Sequence, residues 1–179
     1  MTLSRKIDPA VWYRADWEQC DDWIIELTDK EIQELKDAVS RSQAVPIANL
    51  RAGSFTLPAF ASRIRKLRTE LIYGRGFAVI RGLPVHEWDR ESSARAYYGI
   101  GCHLGVPVSQ NAQGHLLGHV YDLDLDPLDP LNRVYQTNYR QLFHTDSVDI
   151  VGLLCLQPAR TGGLSSICSS STIYHEIAE

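Results

Sequence analysis

Apolar and polar positions in the first part of the chain follow the 3.6-residue period of helices laid against a core. Ile32, Leu35 and Val39 share a face after Thr28, whose hydroxyl can cap a helix while Glu31 reaches back to form a capping box. The spacing predicts a helix over about 28–42. Beyond a turn-rich stretch at 46–58, Phe60, Ile64, Leu67, Leu71 and Ile72 predict a second helix stopped by Gly74 and Gly76. Its basic residues Arg63, Arg65, Lys66 and Arg68 are expected on a solvated face. A short buried strand is predicted between Gly76 and Gly82, and a third helix over 88–103.

From Val106 onward the period shortens. Short β-like runs at 116–125, 134–137, 150–157 and 164–170, separated by Gly, Pro and Asp, read as the start of an antiparallel barrel. A last helix opens after residues 169–172 and carries His175. The expected class is α+β in a single domain, 1–179, with a helical lead-in to about residue 73 and barrel strands over about 74–179. Asp122, Asp124, Asp126 and Asp129 could offer oxygens to a calcium ion. They lack the glycine and terminal glutamate of a calcium loop, and Pro127 and Pro130 suit a solvated turn better.

Composition narrows the function classes. A length of 179 residues with 44% hydrophobic content is ordinary for one globular domain. The net charge of -4, from 18 basic and 22 acidic residues dispersed along the chain, gives no positive field for nucleic acid. Cys20, Cys102, Cys155 and Cys168 form no CxxC pair and read as reduced, mostly buried thiols. Arg5, Lys6 and Asp8 interrupt the first residues, so neither a signal peptide nor a membrane span is expected, and the simplest location is the cytoplasm.

The chemistry concentrates at His144, Thr145 and Asp146. An imidazole and a carboxylate two positions apart on a strand or its end would project from one face and reach one metal ion. Completed by a second histidine, they would form the facial triad of non-haem Fe(II) oxygenases, which leaves coordination positions open for reaction. The competing reading is a polar pair at a strand end, hydrogen-bonded and without metal affinity. Around this triplet, Tyr135, Asn138, Phe143 and Gln110 are candidates for placing a substrate. Tyr135 and Phe143 could equally fill a barrel wall, Asn138 a turn and Gln110 a loop.

Context raises the triplet above chance. Phe143 and the His-Thr-Asp triplet are followed by an apolar run, Val151 to Leu156, then a Gly162-Gly163 turn and a strand with Ser165 and Ser166. Upstream stand the Gly74 to Gly82 run and a Leu104, Gly105, Val106, Pro107 junction followed by Gln110. This order resembles the TauD/TfdA family of Fe(II)/2-oxoglutarate-dependent dioxygenases, over roughly Gly74 to Glu179. The resemblance implies a double-stranded β-helix, or jelly roll. It assigns His144 and Asp146 to Fe(II), with Thr145 as spacer, and Ser165 to the 2-oxoglutarate carboxylate. It also implies dioxygen as cosubstrate and hydroxylation of a small organic molecule as the outcome.

The family pattern further asks for a second iron-binding histidine and, beyond it, an arginine for the distal carboxylate of 2-oxoglutarate. His175 is the sole later histidine and sits in the opening of a helix, while His103, His115 and His119 precede the motif. Arg160 lies on the wrong side of the Gly-Gly turn. The jelly roll is therefore expected to be incomplete, a truncated product or half of a protein completed elsewhere. Its open strand edges would favour pairing with another chain. Two function classes follow: a dioxygenase whose activity alone is in question, or a non-catalytic scaffold that self-associates through its edges.

Overall fold

The structure is a computed structural model and describes residues 8–129 and 131–178. Arg5, Lys6, Pro130 and Glu179, which entered the sequence reading, lie outside the described residues. It is an α+β structure of four helices and one two-stranded sheet. In chain order these are β1 (Ile24–Glu26), α1 (Asp29–Arg41), α2 (Ala61–Tyr73), β2 (Val79–Arg81), α3 (Arg90–Leu104) and α4 (Ser170–Ala178). The fold divides into two compact units, one of residues 8–106 with 149–178, the other of residues 107–148.

In the larger unit the local signals decide the helices. Thr28 caps α1, accepting from the Glu31 backbone N–H at 3.3 Å while the Glu31 carboxylate accepts from the Thr28 N–H at 2.9 Å. The start of α2 is closed from another element: the Glu34 carboxylate on α1 accepts from the N–H groups of Ala59 and Phe60 at 2.8 and 3.0 Å. Asp89 caps α3 through the Ser92 N–H at 2.7 Å. The helix α3 packs against both α1 and α2. Leu35, Val39, Leu50, Phe55, Leu57, Phe60, Ile64, Leu67, Ala96 and Ile100 form the buried core between them. Arg95, buried on α3, donates to the carbonyls of Ser42 and Val45 at 2.7 and 2.6 Å and so ties α3 to the end of α1.

Several expectations are corrected. Arg63 is not on the solvated face with Arg65, Lys66 and Arg68, because it is half-buried in an ion pair with Glu31 at 2.5 Å. The strand between Gly76 and Gly82 exists, but it is three residues long and alternately exposed rather than buried. Its partner β1 was not foreseen, and the two run parallel, Ile24 opposite Val79 and Glu26 opposite Arg81, rather than antiparallel. The runs at 116–125, 150–157 and 164–170 carry no strand among the described residues, and Val134–Gln136 is a 3-10 turn. Branched and apolar residues favour a strand only where a neighbour supplies ladder hydrogen bonds. Between the 116–125 run and the Val134–Gln136 turn the described backbone bond is one, from Leu123 N–H to the Gln136 carbonyl at 2.8 Å. Cys155 and Cys168 are exposed, contrary to the buried expectation, because they lie in these unpaired runs.

At the start of the described chain, Trp12, Trp17 and Trp23 gather around Phe77 with ring centroids 4.9, 5.2 and 6.0 Å away. The Arg75 guanidinium lies over Trp17 at 5.3 Å. No helix among the described residues is long and apolar enough to cross a membrane.

Candidate metal centre

His144 and Asp146 lie in the smaller unit, in an irregular stretch rather than on a strand, and both are exposed. One local hydrogen bond orients the imidazole: His144 Nδ1 is 2.8 Å from the carbonyl oxygen of Leu142. A carbonyl can only accept, so Nδ1 carries the proton and donates. In the neutral ring this leaves the lone pair on Nε2, the arrangement in which metal-binding histidines are commonly held. The Asp146 carboxylate has no hydrogen-bond or ion-pair partner among the described residues, so its oxygens remain free to ligate. A nitrogen and a hard oxygen donor suit Fe(II). Among the described residues, no group of three or more His, Cys, Asp or Glu side chains is placed to hold a metal. His144 and Asp146 thus offer two donors of the types Fe(II) takes, and no third such side chain completes a set among the described residues.

The other candidates are distributed unevenly. Gln110, Tyr135 and Asn138 share the smaller unit with His144 and Asp146, whereas Ser165 belongs to the larger one. Gln110 is exposed, with its side-chain amide donating to the Val108 carbonyl at 3.0 Å. Tyr135 is half-buried within the 3-10 turn, and Asn138 is exposed just after it. Phe143 is 64% exposed and fills no wall. Ser165 is exposed, with no hydrogen-bond partner among the described residues.

Asn111 escaped the sequence reading although it organises the loop that carries Gln110. Its Oδ1 accepts from the N–H groups of Gln113 and His115, both at 3.1 Å, and its amide donates to His115 Nδ1 at 2.9 Å. An accepting Nδ1 commits the neutral His115 ring to a proton on Nε2, the opposite tautomer to His144. An asparagine that turns its own backbone two residues on was the available signal. His103 Nε2 donates to the Phe55 carbonyl at 2.7 Å, and His175 stacks edge-on against Tyr174 at 5.7 Å. The aspartate stretch is a series of turns in which Asp122, Asp126 and Asp129 accept from backbone N–H groups two residues on, each at 2.9 Å.

The model of the family described as taurine catabolism dioxygenase TauD, TfdA family matches residues 31–179. The chain belongs to the TauD/TfdA family. Two curated relatives extend the match over nearly the whole sequence. FR-33289 synthase of Streptomyces rubellomurinus is 29% identical over 173 residues, covering 95% of this chain and 51% of that protein. The taurine hydroxylase-like protein SAT17 of Stachybotrys chartarum is 28% identical over 182 residues, covering 96% and 47% respectively. This TauD/TfdA chain thus spans about half the length of the curated relatives it matches. The family so described is one of dioxygenases.

Proposed function

We propose that this chain carries the iron-binding half of a TauD/TfdA dioxygenase that uses Fe(II) and 2-oxoglutarate to hydroxylate a small organic substrate. The observation that carries the reading is the orientation of His144, whose proton is held by the Leu142 carbonyl so that Nε2 is free, two residues from an unpartnered Asp146 carboxylate. Iron chelated by 2-oxoglutarate would supply dioxygen activation coupled to decarboxylation of the cosubstrate. The protein's part is to fix the donors. The hydrogen bond to the Leu142 carbonyl favours the His144 ring orientation that presents Nε2, and the Asp146 carboxylate would offset part of the cation's charge. Ser165 would donate its hydroxyl to a 2-oxoglutarate carboxylate oxygen, and Tyr135, Asn138 and Gln110 would contact the substrate. A further histidine, the arginine clamp and the remaining jelly-roll strands would correspond to the half of the relatives' length beyond this match.

The test is anaerobic Fe(II) titration of the full chain with and without 2-oxoglutarate, following the weak visible charge-transfer band of the chelate. The expected result is a band in the parent and none in His144→Ala or Asp146→Ala, with Fe(II) affinity at least tenfold weaker in either variant. Equal Fe(II) binding in all three proteins would overturn the assignment.

A second reading is favoured by the exposed apolar side chains of Val151, Leu153, Leu164 and Ile167, the third of which is 94% exposed. A backbone that offers unpaired N–H and C=O groups beside such residues is a template for strand addition. On this reading the chain is a scaffold that pairs with a second copy. A stable iron-free dimer by size-exclusion chromatography with light scattering supports it, and a monomer that binds Fe(II) rejects it.

A further inference from the structure

The helix α4 is held in an unusual way for a terminal element of a core. Its apolar residues Ile173, Tyr174 and Ile177 are exposed, and its buried residue is Thr172. What fastens it is a set of hydroxyls directed at the segment around Trp12, far upstream in sequence. Thr172 Oγ1 accepts from the Trp12 N–H and donates to the Trp12 carbonyl, both at 2.9 Å, saturating that peptide as a strand neighbour would. Ser169 caps α4 by accepting from the Thr172 N–H at 2.9 Å, and its hydroxyl also donates to the Ala10 carbonyl. Tyr13 donates its hydroxyl to the Glu176 carboxylate.

The other side of the same segment is anchored differently. The Trp12 indole N–H donates to the Arg75 carbonyl at 2.8 Å, and the rings of Trp12 and Trp17 meet Phe77 edge-on. The aromatic contact is the stronger of the two attachments, since net hydrogen-bond contributions are small while even half-buried rings remove large apolar areas from water. The residues of this strap, 8–17, precede the 31–179 span that defines the family.

We propose that residues 8–17 form a latch on α4: the strap stays fixed to Phe77 while its hydroxyl contacts to Ser169, Thr172 and Glu176 open and release α4. Release also frees residues 164–168, which immediately precede Ser169 in the chain. The consequence for cosubstrate binding rests on the placement of Ser165 proposed above, whereas the latch itself does not.

Amide hydrogen exchange of the full chain, resolved by residue, tests the latch without iron or 2-oxoglutarate, so failure of the iron reading leaves its result intact. In the parent, the α4 amides should exchange faster than those of α1, through an opening that leaves the Trp12 indole N–H protected. Thr172→Val keeps the side-chain shape and removes both bonds to Trp12, and should speed α4 exchange about tenfold, equivalent to about 1.4 kcal/mol. Ser169→Ala should act in the same direction, and Ile177→Ser, at an exposed position, should leave the rate unchanged. The latch is overturned if the Trp12 indole N–H accelerates as much as α4, because the whole unit then opens together. It is equally overturned if α4 in the parent is as protected as α1. The parent measurement and Ser169→Ala decide the matter even where Thr172→Val does not fold.

Discussion

Glu31 is almost wholly buried, yet its carboxylate is engaged by the Thr28 N–H and hydroxyl, both at 2.9 Å, and by Arg63 at 2.5 Å. Removing it undoes the capping box and strands several donors at once. Glu31→Ala should lower stability by about 1–3 kcal/mol in urea unfolding. Asp89 acts at the surface instead, where the Ser92 backbone N–H, then the Ser92 hydroxyl, hold its carboxyl below the ordinary 3.8. Because that value is depressed in the folded chain, the cap contributes above 3.8 and is lost as pH falls through the lower value. Asp89→Asn keeps an acceptor at the cap, so its helicity on acidification should lack that component of the parent's loss, as circular dichroism can show. Among the thiols, burial pushes Cys102 up, partly opposed by Arg51, while Cys155 and Cys168 are exposed. Timed alkylation with mass spectrometry should therefore modify Cys155 and Cys168 well before Cys102.

Among the elements, α3 is the one whose packing admits least change. A Cβ at Gly99 would lie 2.4 Å from atoms of the Phe55 ring, which is itself fully buried. Helix propensity alone would favour alanine there by about 1 kcal/mol, but forcing the ring aside costs about 1–3 kcal/mol. Gly99→Ala should accordingly be neutral to destabilising, with a lower urea midpoint as the measured sign of the clash. The helices were legible because their signals are local: the Thr28 and Glu31 pair, the Ile64 and Leu67 face and the Gly74 stop lie within a few turns of the backbone they govern. Strands answer to their neighbours. Ile24 and Ile25 gave no hint of a strand until Val79 and Ile80 were beside them, and the apolar run after Ile150 gave a hint that no described neighbour completes. The site was legible in the same partial way. The spacing of His144 and Asp146 singled out the candidate pair, but the Leu142 carbonyl that selects the tautomer, and Asn111 behind Gln110, depend on backbone turns that residue type alone does not specify.

For the whole molecule, the dominant fact is that a chain spanning about half of its relatives leaves Val151, Leu153, Leu164 and Ile167 in water. Apolar surface of this kind binds hydrophobic dyes and associates unless covered. The parent should show enhanced dye fluorescence at neutral pH, and Leu153→Lys combined with Leu164→Lys should reduce both dye binding and association without altering helix content.

The parallel pair of β1 and β2 has a further consequence, in the order of events during synthesis. Ile24 finds its partner in Val79, about 55 residues downstream, so at roughly 5–20 residues per second the first strand waits on the order of 3–11 s before pairing is possible. In that interval α1 and α2, whose start and stop signals are local, can form ahead of α3, against which both later pack. The bonds between the Trp12 backbone and Thr172 wait longer still, because Thr172 is translated after every other described helix. The earliest described part of the chain to leave the ribosome is therefore fastened in two steps, first to Arg75 and Phe77 and last to α4, and a nascent-chain protease should cut near Trp12 readily until residue 77 has emerged and only slowly afterwards.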